Sequence, residues 1–128
     1  VQDLGLKDKV IFRGFVESRN VLPQWDILAV PSVDGEGSSA TIKEGMLVGL
    51  PVVTSDLPSN LEILHPNESG LSFYNRDHQG LAKCLEELLL DSDLAWKLIK
   101  GGQERVQSFT VRAMGQAYKD IYAHLLGK

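Results

Sequence analysis

The stretch from Asp26 to Asp56 leaves this chain few ways to fold. An apolar run, Ile27-Leu28-Ala29-Val30, ends at Pro31. A glycine-flanked loop follows, Gly35-Glu36-Gly37, and then a helical pattern that begins near Ser38 or Ser39 and runs to about Val48. Gly49 suits a helix C-terminal cap, and Pro51 stops any continuation. A second apolar run, Pro51-Val52-Val53-Thr54, closes the unit. Strand, glycine-rich loop, helix, strand is an arrangement that forms a ligand site where the strand ends and the helix begins. Free N–H groups at such a helix start face an anion, and small residues let that anion approach the backbone. Two glutamates, Glu36 in the loop and Glu44 on the helix, stand eight positions apart around that point.

At 128 residues with 43% apolar content, the chain reads as one domain or part of one, spanning residues 1–128. A net charge of −4 with mixed signs argues against general nucleic-acid binding, which needs a basic face. No apolar run reaches the length of a bilayer span, and the start, Val1-Gln2-Asp3-Leu4-Gly5, lacks the pattern of a signal peptide. A chain that opens on Val1 reads as a processed or excised piece. Cys84 stands alone, so an internal disulfide is excluded and a reducing compartment fits. Its place on an apolar helical stripe makes it a core residue.

The other elements follow from periodicity. Val10-Ile11-Phe12 reads as a buried strand that turns at Arg13-Gly14-Phe15. Residues 21–25 read as a short helix with Leu22 and Trp25 facing the core, and residues 70–73 as a further strand after the turn Pro66-Asn67-Glu68-Ser69. A helical turn over residues 59–64 is held between Pro58 and Pro66. Leu81, Cys84, Leu85, Leu88 and Leu89 mark one face of a helix over residues 77–90. Ser92 or Asp93 caps the next helix, which Gly101-Gly102 weakens or breaks. Thr110 caps a last helix whose stripe, from Ala113 and Met114 through Tyr118 and Tyr122 to Leu125, forms a core face or a docking face. Strands alternating with helices imply an α/β fold, a parallel sheet with helices on both faces. His65, His78 and His124 are scattered without metal-ligand spacing, so no metal and no cofactor is expected. Taken singly, Glu36 reads as a loop carboxylate, Glu44 as a helix-surface residue, Ser38 and Ser39 as caps, and Lys43 as a solvated side chain.

Set together, the residues say more. Phe12-x-Gly14-Phe15, Leu22, Asp26-Ile27, Val30-Pro31-Ser32, Glu36-Gly37, Lys43-Glu44-Gly45-Met46, Gly49-Leu50-Pro51-Val52-Val53, Asp56, Glu62-Ile63, Gly70 and Phe73 occur in that order. The series resembles the C-terminal half of the GT-B-type retaining glycosyltransferases of family 4, often called glycosyl transferases group 1. Phe109-Thr110-Val111 is similar to that family's Phe-Ser-Trp step. The resemblance implies a Rossmann-like three-layer domain that holds a nucleotide-sugar donor, a UDP-, GDP- or ADP-sugar. It implies that Glu36 approaches the donor sugar and the reacting centre, and that Glu44 accepts from the ribose hydroxyls. Gly37 and Ser38 shape the loop, the N–H groups of Ser39, Ala40 and Thr41 hold the diphosphate, and Gly14 and Phe15 lie near the base.

The family carries Phe-Gly where Ser38-Ser39 stands, and Ala where Gly45 stands. Its half also begins with a strand, a basic glycine turn, a helix and a second strand that have no counterpart here. In strand order 3-2-1-4-5-6 the missing strands are the middle ones, so the strand over residues 10–12 loses its neighbour and exposed edges invite self-association. The resemblance therefore implies a GT-B half truncated at its N-terminal end, separated from an N-terminal acceptor domain and inactive alone. The whole enzyme would transfer a sugar to a sugar or lipid-linked acceptor in polysaccharide or glycolipid synthesis, in the cytoplasm or at the inner face of the membrane. The fold also hosts sugar-nucleotide epimerases, which the Glu36–Glu44 setting disfavours. A non-catalytic flavodoxin-like binding module would place acidic residues at the first strand end, where Arg13-Gly14-Phe15 stands.

Overall fold

A computed structural model describes residues 1–35 and 37–127. Three short strands, β1 (Leu28–Val30), β2 (Val52–Ser55) and β3 (Leu71–Phe73), form a parallel sheet in the order β1-β2-β3. Leu28 lies opposite Val52, Val30 opposite Thr54, Val53 opposite Leu71, and Ser55 opposite Phe73. Because side chains alternate along a strand, Leu28, Val30 and Val52 share one face, and Val53, Leu71 and Phe73 share the other.

Each face has its own core. On the first, Leu28, Val30 and Val52 pack with Ile42 and Met46 of α2 (Ala40–Val48), with Leu22 from the turn after α1 (Ser18–Val21), and with Ile63 and Leu64 beyond α3 (Pro58–Leu61). On the second, Val53, Leu71 and Phe73 pack with Leu88 of α4 (His78–Leu90) and Leu98 of α5 (Ser92–Val106). Helices therefore cover both faces of the sheet, as expected for a three-layer α/β domain. No helix among the described residues is long and apolar enough to cross a membrane.

α5 joins the two cores. Leu98 belongs to the second core and Val106 to the first. Between them, Gly101 passes the backbone just ahead of β3: a Cβ there would collide with the Glu68 carbonyl oxygen and lie 3.4 Å from Ser69 Cα. At Gly102 a Cβ would lie 3.2 Å from Met46 Cγ. The glycine pair expected to weaken or break this helix instead lets it run unbroken beneath the sheet, against backbone that could not make room. Asp91, rather than Ser92 or Asp93, caps it, through a bond from Leu94 N–H to Asp91 Oδ1 at 2.9 Å.

The expected strand over residues 10–12 is absent. Ile11 and Phe12 are 74% and 82% exposed, and the segment 1–10 closes into turns through Gly5 N–H to the Gln2 carbonyl and Val10 N–H to the Leu6 carbonyl. A strand needs a neighbour for its N–H and C=O groups, and no strand lies beside this segment among the described residues. Trp25, expected in the core, is 40% exposed. The 3₁₀ turn Leu22–Gln24 ends there, and extended backbone at Trp25 carries the ring outward while Leu22 stays buried. The last helix, α6 (Val111–Leu125), forms behind its Thr110 cap, but none of its residues is buried, so its apolar stripe is not part of this core.

Candidate functional site

The site is built where β1 ends and α2 begins. Ser39 caps α2, its Oγ accepting from Ile42 N–H at 3.4 Å. The first-turn N–H groups of Ala40 and Thr41 have no acceptor within the helix, and both residues are exposed. Gly37 and Ser38 are exposed as well, while Ser39 is buried. Gly35 takes a positive φ of 74°, a conformation that glycine adopts without strain. Glu36 lies outside the described residues.

The far end of α2 fixes how close the helix sits to the sheet. A Cβ at Gly45 would strike Leu28 and lie 3.3 Å from Val52 Cγ2, so glycine at this position lets Leu28 fill the space. Gly49 ends the helix in the left-handed conformation, φ 83°, its N–H turned back to the Gly45 and Met46 carbonyls. Glu44 follows Ala40 by four residues, hence on the same helix face one turn further on. It is half-buried and lines a cleft of about 130 Å³ with Ser18, Arg19, Leu22, Leu47 and Val48. Of the turn expected near a base, Phe15 is 94% exposed, and neither it nor Gly14 lines this cleft. Arg19 and Ser18 occupy that wall instead, and no local sequence signal marked them.

Behind the loop, the C-terminal ends of all three strands are tied together. Thr54 Oγ1 donates to the Val30 carbonyl at 3.1 Å, and Ser55 Oγ to the Ser32 carbonyl at 2.6 Å. Buried Asn60 donates from Nδ2 to the Ser55 carbonyl and Oγ, each at 3.3 Å. Asn75 N–H donates to Asp56 Oδ1 at 2.7 Å, and its Nδ2 donates to the Val33 carbonyl at 2.8 Å. On the other flank, Lys43 is not simply solvated. Its ammonium donates to Ser38 Oγ at 2.9 Å and lies 5.7 Å from the centroid of the Phe109 ring. The Arg105 guanidinium lies 5.0 Å from the same centroid and donates to the Glu62 and Ile63 carbonyls.

Cys84 is half-buried rather than deep in the core, its thiol directed at the Ser72 carbonyl, 3.8 Å away. Burial first, and then the Glu87 carboxylate, push its pKa up. It stays a thiol at neutral pH and offers no nucleophile.

Residues 1–91 match the family of glycosyl transferases group 1. Over 123 residues the chain is 28% identical to LpsE of Rhizobium meliloti (strain 1021), a lipopolysaccharide core biosynthesis glycosyltransferase, covering 94% of this chain and 36% of that protein. The fold matches HepE of Anabaena, solved in complex with UDP, with a TM-score of 0.87 and 24% identity over 96% of this chain and 34% of HepE. It matches sucrose-phosphate synthase of Thermosynechococcus elongatus with a TM-score of 0.81 and 30% identity over 96% of this chain and 33% of the synthase. The chain spans about a third of the length of each of these relatives.

Proposed function

Since the chain belongs to the glycosyl transferases group 1, we propose that it is the donor-binding part of a retaining glycosyltransferase. Residues 1–128 form part of one nucleotide-sugar-binding domain, and the acceptor is held by a domain outside this chain. The observation that carries the reading is the exposed start of α2 at the end of β1, with Glu44 one turn below it on the same face. The N–H groups of Ser39, Ala40 and Thr41 hold the donor diphosphate, with Gly37 and Ser38 leaving room for it. Oriented N–H groups stabilise the charge that builds on a leaving diphosphate, and they do so without reorganising. One turn of helix, about 5.4 Å, suits the step from a phosphate to the adjoining ribose. Ionised Glu44 accepts from both ribose hydroxyls. Glu36 supplies a carboxylate near the sugar, where positive charge develops in the transition state.

The whole enzyme transfers the sugar to a sugar or lipid-linked acceptor in polysaccharide or glycolipid synthesis. It works in the cytoplasm, at the inner face of the membrane when the acceptor is a lipid. The test is a titration of this chain with UDP, GDP and ADP followed by amide chemical shifts. Shifts centred on Ser39, Ala40, Thr41 and Glu44 with one of the three nucleotides are expected. Shifts elsewhere with all three nucleotides, or none even in a chain extended at its N-terminus, would overturn the reading.

A further inference from the structure

The loop that leads into α2 is anchored from outside its own sequence. Its entry is held twice: Ser55 Oγ donates to the Ser32 carbonyl at 2.6 Å, and Asn75 Nδ2 donates to the Val33 carbonyl at 2.8 Å across 42 residues. Its exit is held by the Ser39 cap. Of the two entry bonds, the one from Asn75 lies nearer the glycines. Asn75 is itself held in place, its N–H donating to Asp56 Oδ1 at 2.7 Å, while Asp56 N–H donates to the Phe73 carbonyl at 2.9 Å. The next residue, Arg76, takes a positive φ of 67° in a turn closed by Asp77 N–H to the Tyr74 carbonyl at 2.9 Å. Such a turn favours glycine at that position. An arginine there is strained, and strain of this kind persists only where the surrounding structure over-determines it.

From these contacts we infer that Asn75 is a positioning residue for the donor diphosphate. It clamps Val33 and so fixes where the chain enters the loop before a ligand arrives, and it does not itself touch the ligand. The inference rests on the donor reading above. Ordering a loop in advance removes from binding the entropy cost of fixing it. The diphosphate, held by backbone at the end of that loop, depends on the clamp; a nucleoside, held against Glu44 further down the helix, does not.

The experiment compares the wild-type chain with Asn75→Ala and Asn75→Gln, using UDP and uridine as probes (GDP and guanosine, or ADP and adenosine, where the titration selects that base), ¹⁵N order parameters as a ligand-free readout, and thermal melting as a check of the fold. Asn75→Ala is expected to lower the order parameters of Gly35, Gly37 and Ser38. It should also weaken UDP about tenfold and leave uridine unchanged. Asn75→Gln keeps an amide donor and should restore part of both effects. Equal UDP affinity in wild type and Asn75→Ala, or equal loss for UDP and uridine, would overturn the inference while the donor reading stands. A wild-type chain that binds UDP, GDP and ADP with no shifts at Ser39, Ala40 or Thr41 would sink the donor reading, and this inference with it.

Discussion

Val10-Ile11-Phe12 and Val52-Val53-Thr54 are alike on paper: three residues, β-branched or aromatic, bounded by polar and turn-forming neighbours. One is the centre of the sheet and the other is no strand at all. Val52 and Val53 are 0% exposed, whereas Phe12 is left in solvent. β2 has β1 on one side and β3 on the other, and a helical layer above and below. Residues 10–12 have none of these. Strand preference measures fit to a half-buried pleated surface rather than an inborn tendency of the backbone, and here the surface decides. The same contrast separates α5 from α6, two helices of 15 residues each: Leu98, Gly102 and Val106 of α5 are buried, and no residue of α6 is.

The sharpest way to break this comparison is to remove the same kind of side chain from each region. Leu98→Ala in the second core should cost about 3–5 kcal/mol, the range for a buried leucine that leaves a cavity. Ile11→Ala should stay within about 0.5 kcal/mol, as for an exposed substitution away from special features. Urea denaturation of both variants checks this. Similar losses at the two sites would mean that residues 10–12 are packed in solution.

A glycine pair gives a contrast of sign. In α5, Gly101→Ala drives a methyl into the Glu68 carbonyl, which is backbone and cannot turn aside. Overpacking of this kind outweighs the helix-propensity gain, for a net loss of about 2 kcal/mol. In α6, a Cβ at Gly115 meets nothing within 4 Å. Gly115→Ala should therefore stabilise the helix by about 1 kcal/mol. Thermal midpoints that move in opposite directions are the expected result. A gain at both sites would mean that α5 does not press on the chain ahead of β3.

These contrasts also mark what was legible in the sequence. Residues 40–48 were readable because every signal is local: Ser39 as cap, Gly49 as stop, Ile42 and Met46 four apart on the buried face. Two buried strands beside them were readable for the same reason. Residues 10–12 failed because pairing is a property of the neighbour. Gly101-Gly102 failed because close approach of Glu68 cannot be told from helix weakness in one dimension. At the candidate site, the start of α2 and the place of Glu44 on that helix were legible, but their surroundings were not. Asn75 reaches Val33 over 42 residues, and Arg105 reaches Glu62 over 43. Arg19 and Glu44 line one cleft, which the packing of α1 on α2 creates.

Cys84 lies between the two regimes, half-buried where α4 meets β3, and it gives the smallest effect. Its folded-state pKa is raised, chiefly by burial and next by Glu87. The unfolded chain therefore loses the thiol proton at lower pH than the folded one. At neutral pH both states hold it, and the contribution to stability is fully present. As pH climbs past the ordinary thiol range the unfolded state binds fewer protons, and stability falls. The fall is complete once pH exceeds the raised folded value. Cys84→Ala removes this slope, so the stability difference between variant and wild type should narrow from pH 7 to pH 10 in paired urea titrations. Other groups that titrate in the same window act equally on both proteins and cancel in the difference. A gap that stays constant with pH would place Cys84 among the exposed side chains, with the residues of α6, rather than against the sheet.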